Sequence, residues 1–154
     1  MTGFRVLIID DDQLMRSSLV DLMMAAGWET KDLARATEAE RWIAQFGPDV
    51  ILSDVRMPEM SGLEMLKALT AAPPVVLISA HGDIPMAVEA MNNGAYSFVE
   101  KPYEPKRLLT ILTHAAEQHR MRGSNQRLRA RLGQLAGLDR ALLGQTPKMA
   151  QLRR

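Results

Sequence analysis

Short, nearly unbroken apolar runs alternate along this chain with stretches whose apolar residues recur every three or four positions, and this alternation leaves few folds open. The runs Phe4–Ile9, Val50–Ser53 and Val75–Ser79 read as strands covered on both faces, because a strand with one wet face would alternate polar and apolar residues. Glu29–Ala34 reads as a weaker strand and Ser97–Val99 as a short fifth. Between them lie helical patterns. Gln13–Ala26 sets Leu14, Leu19, Leu22, Met23 and Ala26 on one stripe and is closed by Gly27. Thr37–Phe46 carries Thr37 as its expected cap, with Glu40 three residues on. Gly62–Ala71 and Ile84–Asn93 follow, the latter stopped by Gly94, and a last helix opens near Glu104–Pro105 with Leu108, Leu109, Ile111 and Leu112 turned to the sheet. Strict strand–helix alternation demands right-handed crossovers, so the expected architecture is α/β: a doubly wound, five-stranded parallel sheet between helices.

In such sheets a ligand lies outside the carboxyl ends of the strands, where the winding reverses. The reactive residues of this chain fall at those ends. Asp10, Asp11 and Asp12 follow the first strand, Asp54 the third, Ser79 ends the fourth and Lys101 follows the fifth. Carboxylates converging in one crevice repel each other, and protonation or a hard divalent cation relieves them. Mg²⁺ suits this set, with Asp11 and Asp54 as direct ligands, Asp10 acting through a water and the backbone carbonyl of Arg56 completing the shell. A carboxylate oxygen of Asp54 can then attack phosphorus, while Lys101 and Ser79 hold the phosphoryl oxygens. Each residue taken singly has a plainer use: the three adjacent acids as a turn or helix cap, Asp54 as a cap of the turn into Pro58, Ser79 as the cap of the next helix, Lys101 as a solvated charge. Their conjunction at separate strand ends favours a site.

The stretches VLIIDDDQLMR, ILSDVRMPEMSGLEML, VVLISAHGD and GAYSFVEKPYEPKRL together resemble the receiver domains of bacterial two-component response regulators, over about residues 4–118. The resemblance implies a flavodoxin-like (CheY-like) fold and phosphotransfer from a sensor histidine kinase to Asp54. It implies Asp10 and Asp11 as the acidic pair, Ser79 as the switch hydroxyl, Lys101 as the conserved-type lysine and a cis Lys101–Pro102 peptide. The aromatic switch position is Phe98, which has no hydroxyl, so a signal through it must be a change of burial. Asp12 is an extra acid with no role in the pattern. The stretch SAHGDIPMAVEAMNNGAYSFVEKP is further similar to the sigma-54-dependent activators (NtrC-like), and among them to C4-dicarboxylate transport regulators. Two rivals fit less well. Aspartate-nucleophile phosphatases place the nucleophile after the first strand in an Asp-x-Asp arrangement, and a flavin or nucleotide binder needs a Gly-rich cradle that the loops lack.

Composition enters at the boundary. Residues 1–116 hold ten Lys and Arg against sixteen Asp and Glu, a balance of −6, whereas residues 117–154 hold nine against two, a balance of +7. The shift suggests a boundary between two kinds of structure, and with the family resemblances it implies a receiver domain at 1–118, a helical or coiled-coil linker at 119–141 and the start of an AAA+ ATPase domain at 142–154. In the linker, Met121, Asn125, Leu128, Leu132 and Leu135 follow heptad spacing, which predicts a homodimer with Asn125 setting register. Gly123, Gly133 and Gly137 each weaken such a helix by about 1 kcal/mol, and the alternative is one amphipathic helix folded back on its own domain. The arginines at 120, 122, 127, 129 and 131 read as a solvated face, with no direct nucleic-acid binding expected of this stretch. LLGQTPKMAQLRR resembles the opening of the AAA+ module in sigma-54 activators. No P-loop follows, so the chain is expected to stop just inside that domain, to hydrolyse no ATP and to be a phosphoacceptor rather than an enzyme, with the AAA+ and DNA-binding domains lying downstream. No run reaches the roughly 20 apolar residues of a bilayer span, acids follow the first apolar stretch, and there is no Cys. A cytoplasmic protein without disulfides or a membrane anchor is expected.

Overall fold

The apolar runs become strands sealed on both faces: Val6–Ile9, Val50–Leu52 and Val75–Ile78 are all at most 2% exposed. The structure is a computed structural model that describes residues 3–69, 72–80 and 83–122. Its strands are β1 (Arg5–Ile9), β2 (Glu29–Leu33), β3 (Val50–Asp54), β4 (Val75–Ser79) and β5 (Ser97–Glu100). They form one sheet in the order β2-β1-β3-β4-β5, parallel throughout. The helices are α1 (Gln13–Ala25), α2 (Ala39–Phe46), α3 (Gly62–Ala68), α4 (Ile84–Asn92) and α5, whose helical backbone runs over residues 105–122. The expected doubly wound parallel sheet is therefore present.

Alternate residues of each strand feed two cores. Val6, Ile8, Val50, Leu52, Val76 and Ile78 meet Leu19 and Met23 of α1 and Leu108 and Leu112 of α5. Leu7, Ile9, Ile51 and Leu77 meet Ala39, Leu63, Met65 and Ala90 from α2, α3 and α4. Burying one such large side chain is worth about 1.5–3 kcal/mol, so the two layers hold the sheet between them and keep its strand ends in register. Ile9 lies beside Ser53, Asp54 beside Ile78, and Ser79 beside Glu100. One edge of the sheet thus collects the residues that follow β1, β3, β4 and β5. The winding reverses between β1 and β3, which opens the crevice there.

Three local expectations are corrected. Leu14 is 83% exposed, because the buried line of α1 runs through Met15, Leu19 and Met23, one position round the helix. Thr37 caps nothing: a 3₁₀ turn, Ala36–Glu38, leads into α2, whose N-cap Glu38 makes no side-chain bond. Burial of the small residues Ala36 and Ala39 sets that entry instead of a hydroxyl. Helix α3 stops at Ala68, short of Ala71, where Leu69 turns to extended backbone ahead of Pro73 and Pro74. No helix among the described residues is long and apolar enough to cross a membrane. Met121, first of the heptad positions, is exposed; Asn125, Leu128, Leu132 and Leu135, and the segment 142–154, lie outside the described residues.

Candidate functional site

Where β1 ends, Asp10 is buried, its N–H bonded to the carbonyl of Leu33 at 3.1 Å. Its Oδ1 accepts the N–H of Asp12 at 2.9 Å, a side-chain turn that folds the chain back toward α1. Asp12 is the N-cap of that helix: its Oδ1 accepts from the N–H groups of Leu14 (3.0 Å) and Met15 (3.3 Å). The capping role thus belongs to Asp12, while Asp10 and Asp11 turn toward Asp54. Carboxylate oxygens of Asp10, Asp11 and Asp54 all lie within 4.8 Å of one another. Burial, joined by the negative charges of Asp54 and Asp11, pushes the Asp10 carboxyl up to about 6, against the lowering pull of the Asp12 N–H and of Lys101. The Tyr103 phenol is also raised, by burial first and by Asp10 second.

Asp54 ends β3 with its side chain 13% exposed. Lys101 reaches it from the far side of β4, with Nζ 3.4 Å from Asp54 Oδ2. The backbone N–H of Lys101 is tied to the carbonyl of Ser79 at 2.8 Å, and the Lys101–Pro102 peptide is cis, as the resemblance implied. The backbone N–H of Arg56 donates to Asp54 Oδ1 at 3.4 Å. Ser79 is 1% exposed, and its hydroxyl donates to Asp83 Oδ2 at 3.4 Å. Phe98 is half-buried, packed against the α2–α3–α4 core, and flanks a cavity of about 500 Å³ bounded by Tyr103, Arg107 and Ile111. The structure therefore brings Asp10, Asp11, Asp54 and Lys101 into one crevice, sets Ser79 and Arg56 at its border and leaves Phe98 on the outer side of β5.

Three residues at the site were given no role of their own by the sequence reading. Arg16, on α1, donates through Nη1 to the Asp10 carbonyl at 2.6 Å and through Nε to Asp32 at 2.9 Å, so it ties the ends of β1 and β2 together. Asp83 pairs with Arg56 at 2.9 Å as well as accepting from Ser79. Gly62 opens α3, with its N–H on the carbonyl of Val55 at 2.7 Å, and a Ser61–Glu64 capping box starts that helix. Of these, only the Ser-x-x-Glu capping box was open to recognition from sequence.

Residues 6–113 match the family model for the response regulator receiver domain. Over 151 residues the chain is 38% identical to the C4-dicarboxylate transport transcriptional regulatory protein DctD of Rhizobium meliloti (strain 1021); the match takes in 96% of this chain and 33% of DctD. The chain thus spans about a third of that relative's length. It is 34% identical over 119 residues to the chemotaxis protein CheY of Thermotoga maritima, covering 75% of this chain and 99% of CheY. Among solved structures, the crystal structure of FixJ-N superposes with a TM-score of 0.70 at 36% identity, over 76% of this chain and 96% of that one. With its sheet order, its acidic crevice and a family model that covers most of its length, this chain belongs to the response regulator receiver domain family.

Proposed function

We propose that residues 1–118 receive a phosphoryl group on Asp54 from a sensor histidine kinase and pass the change on through α5. The observation that carries this reading is the meeting of three carboxylates, with oxygens within 4.8 Å, and one lysine, 3.4 Å from Asp54, at the reversal point of the sheet. A carboxylate oxygen of Asp54 attacks phosphorus, the P–N bond to the donor imidazole breaks, and the imidazole takes up a proton as it leaves. Lys101 meets the incoming phosphoryl oxygens as a point charge, and Ser79 offers them its hydroxyl proton.

The donor set fits a hard divalent cation: it is all oxygen, it is clustered, and burial among like charges leaves Asp10 holding a proton more readily than a free carboxylate. Asp11 and Asp54 would hold Mg²⁺ directly, with Asp10 through a water and Arg56 through its carbonyl. The ion supplies the positive charge that lets a phosphoryl group approach a carboxylate. Residues 119–141 serve in this proposal as linker and dimer element, on the heptad spacing of Leu128, Leu132 and Leu135 in the sequence. Residues 142–154 begin an AAA+ domain. The whole protein is then a sigma-54-dependent transcriptional activator of the cytoplasm, whose assembly the receiver controls. Similarity to DctD along nearly all of this chain supports that assignment.

The test is intact-mass spectrometry after incubation with acetyl phosphate and Mg²⁺. The parent is expected to gain a single phosphoryl group and Asp54→Asn none; equal labelling of both rejects Asp54 as the acceptor.

A further inference from the structure

Asp83 stands at the N-cap position of α4, yet its side chain caps no helix N–H. The carboxylate is engaged elsewhere. One oxygen, Oδ2, takes the Arg56 guanidinium at 2.9 Å and the Ser79 hydroxyl at 3.4 Å. The first contact is short and charge-assisted. The second is long for a hydroxyl bond, so it exchanges easily for a better acceptor. Arg56 in turn places its own N–H on Asp54 Oδ1. The chain Asp54–Arg56–Asp83–Ser79 therefore links the ends of β3 and β4, through the backbone N–H and guanidinium of Arg56 and the carboxylate of Asp83.

A serine hydroxyl has one proton to donate. While Asp83 holds it, a phosphoryl oxygen on Asp54 cannot have it. We infer that Asp83, clamped by Arg56, is a positioning residue that holds the Ser79 hydroxyl in reserve and thereby sets how readily the phosphorylated state forms. This rests on the function proposed above. When Ser79 turns to the phosphoryl group, Asp83 loses one of its two partners. Its carboxylate is then able to serve the N–H of Met86 at the third position of α4, the cap donor left where Pro85 fills the second. The first turn of α4 thus tightens in step with phosphorylation, and the signal leaves the crevice along that helix.

The test titrates beryllium fluoride, a tetrahedral phosphoryl mimic, at fixed Mg²⁺ by calorimetry into the parent, Asp83→Ala, Asp83→Asn, Ser79→Ala and the Ser79→Ala/Asp83→Ala double variant. Removal of the competing acceptor is expected to tighten binding about three- to tenfold in Asp83→Ala, the range that one modest hydrogen bond commands, and by less in Asp83→Asn, whose amide oxygen still accepts from Ser79. The gain is expected to vanish in the Ser79→Ala background, because the latch acts only through that hydroxyl. Unchanged affinity in the Asp83 variants, or the same gain with Ser79 absent, overturns the latch while the phosphoacceptor reading stands. A parent that takes up no beryllium fluoride overturns the phosphoacceptor reading, and the latch with it.

Discussion

The backbone carbonyl of Asp54 lies so close to Gly62 that a Cβ there would stand 2.5 Å from the carbonyl oxygen, and 3.1 Å from both Cα of Val55 and Cδ2 of Leu77. Helix α3 therefore starts against the strand that carries Asp54, at a distance only glycine permits. The oxygen belongs to the backbone of a central strand, so it cannot swing away as a flexible side chain would.

Gly62→Ala is accordingly expected to cost about 1–3 kcal/mol of stability, as overpacking does, and to slow labelling of Asp54 because relief requires the carrier strand to shift. Urea unfolding and the rate of acetyl phosphate labelling check the two effects. A variant of parental stability would mean that the close approach is slack.

Asp10 predicts a pH dependence. Its folded-state value of about 6 stands above the ordinary 3.8, so its neutral form contributes stability that is fully present below the unfolded value and is lost as pH rises through about 6. Asp10→Asn keeps an acceptor for the Asp12 N–H without the charge. At one pKa unit per roughly 1.4 kcal/mol, the Mg²⁺-free variant should be more stable than the parent by about 3 kcal/mol at pH 7.5 and nearly equal to it below pH 4. Mg²⁺ should then stabilise the parent more than the variant. Parallel stability–pH curves would place the cost of charge burial elsewhere.

Lys101→Met separates two roles that one cation plays. It removes the charge 3.4 Å from Asp54, leaving the carboxylates less compensated. Labelling of Asp54 should fall by about a hundredfold, the order expected when one preorganised charge aimed at a transferring group is lost. Mg²⁺ affinity should rise several-fold, since the ion no longer competes with an ammonium. Calorimetric Mg²⁺ titration beside a labelling time course reads both; a fall in the two together would argue that Lys101 organises the crevice rather than the transfer.

The heptad seam predicts that the 154-residue chain is a dimer at tens of micromolar, and that a chain ending at Ala116 is a monomer. Sedimentation equilibrium distinguishes them. Two monomers, or two equal dimers, would remove the linker from its role as dimer element.

The sequence alone determined the architecture and the composition of the crevice. Continuous apolar runs, intervening helical stripes and the right-handed crossover rule lead to a doubly wound sheet, and its strand ends are legible as soon as the runs are. Asp10, Asp11, Asp54, Ser79 and Lys101 could be nominated because each sits at such an end. Which acid does what was decided only in three dimensions. Asp12 looks like its two neighbours in a string of letters, but its position past the end of β1 turns its oxygen onto the α1 amides. Leu14 missed the core by one position, a shift of roughly 100° around a helix, which turns a buried face into a wet one. Arg56 and Asp83 are separated by 27 residues, and Arg16 reaches back to a backbone carbonyl on another element. No local period encodes such pairings: they follow from the directions in which packed helices and parallel strands deliver their loops, and those directions exist only after both cores have formed.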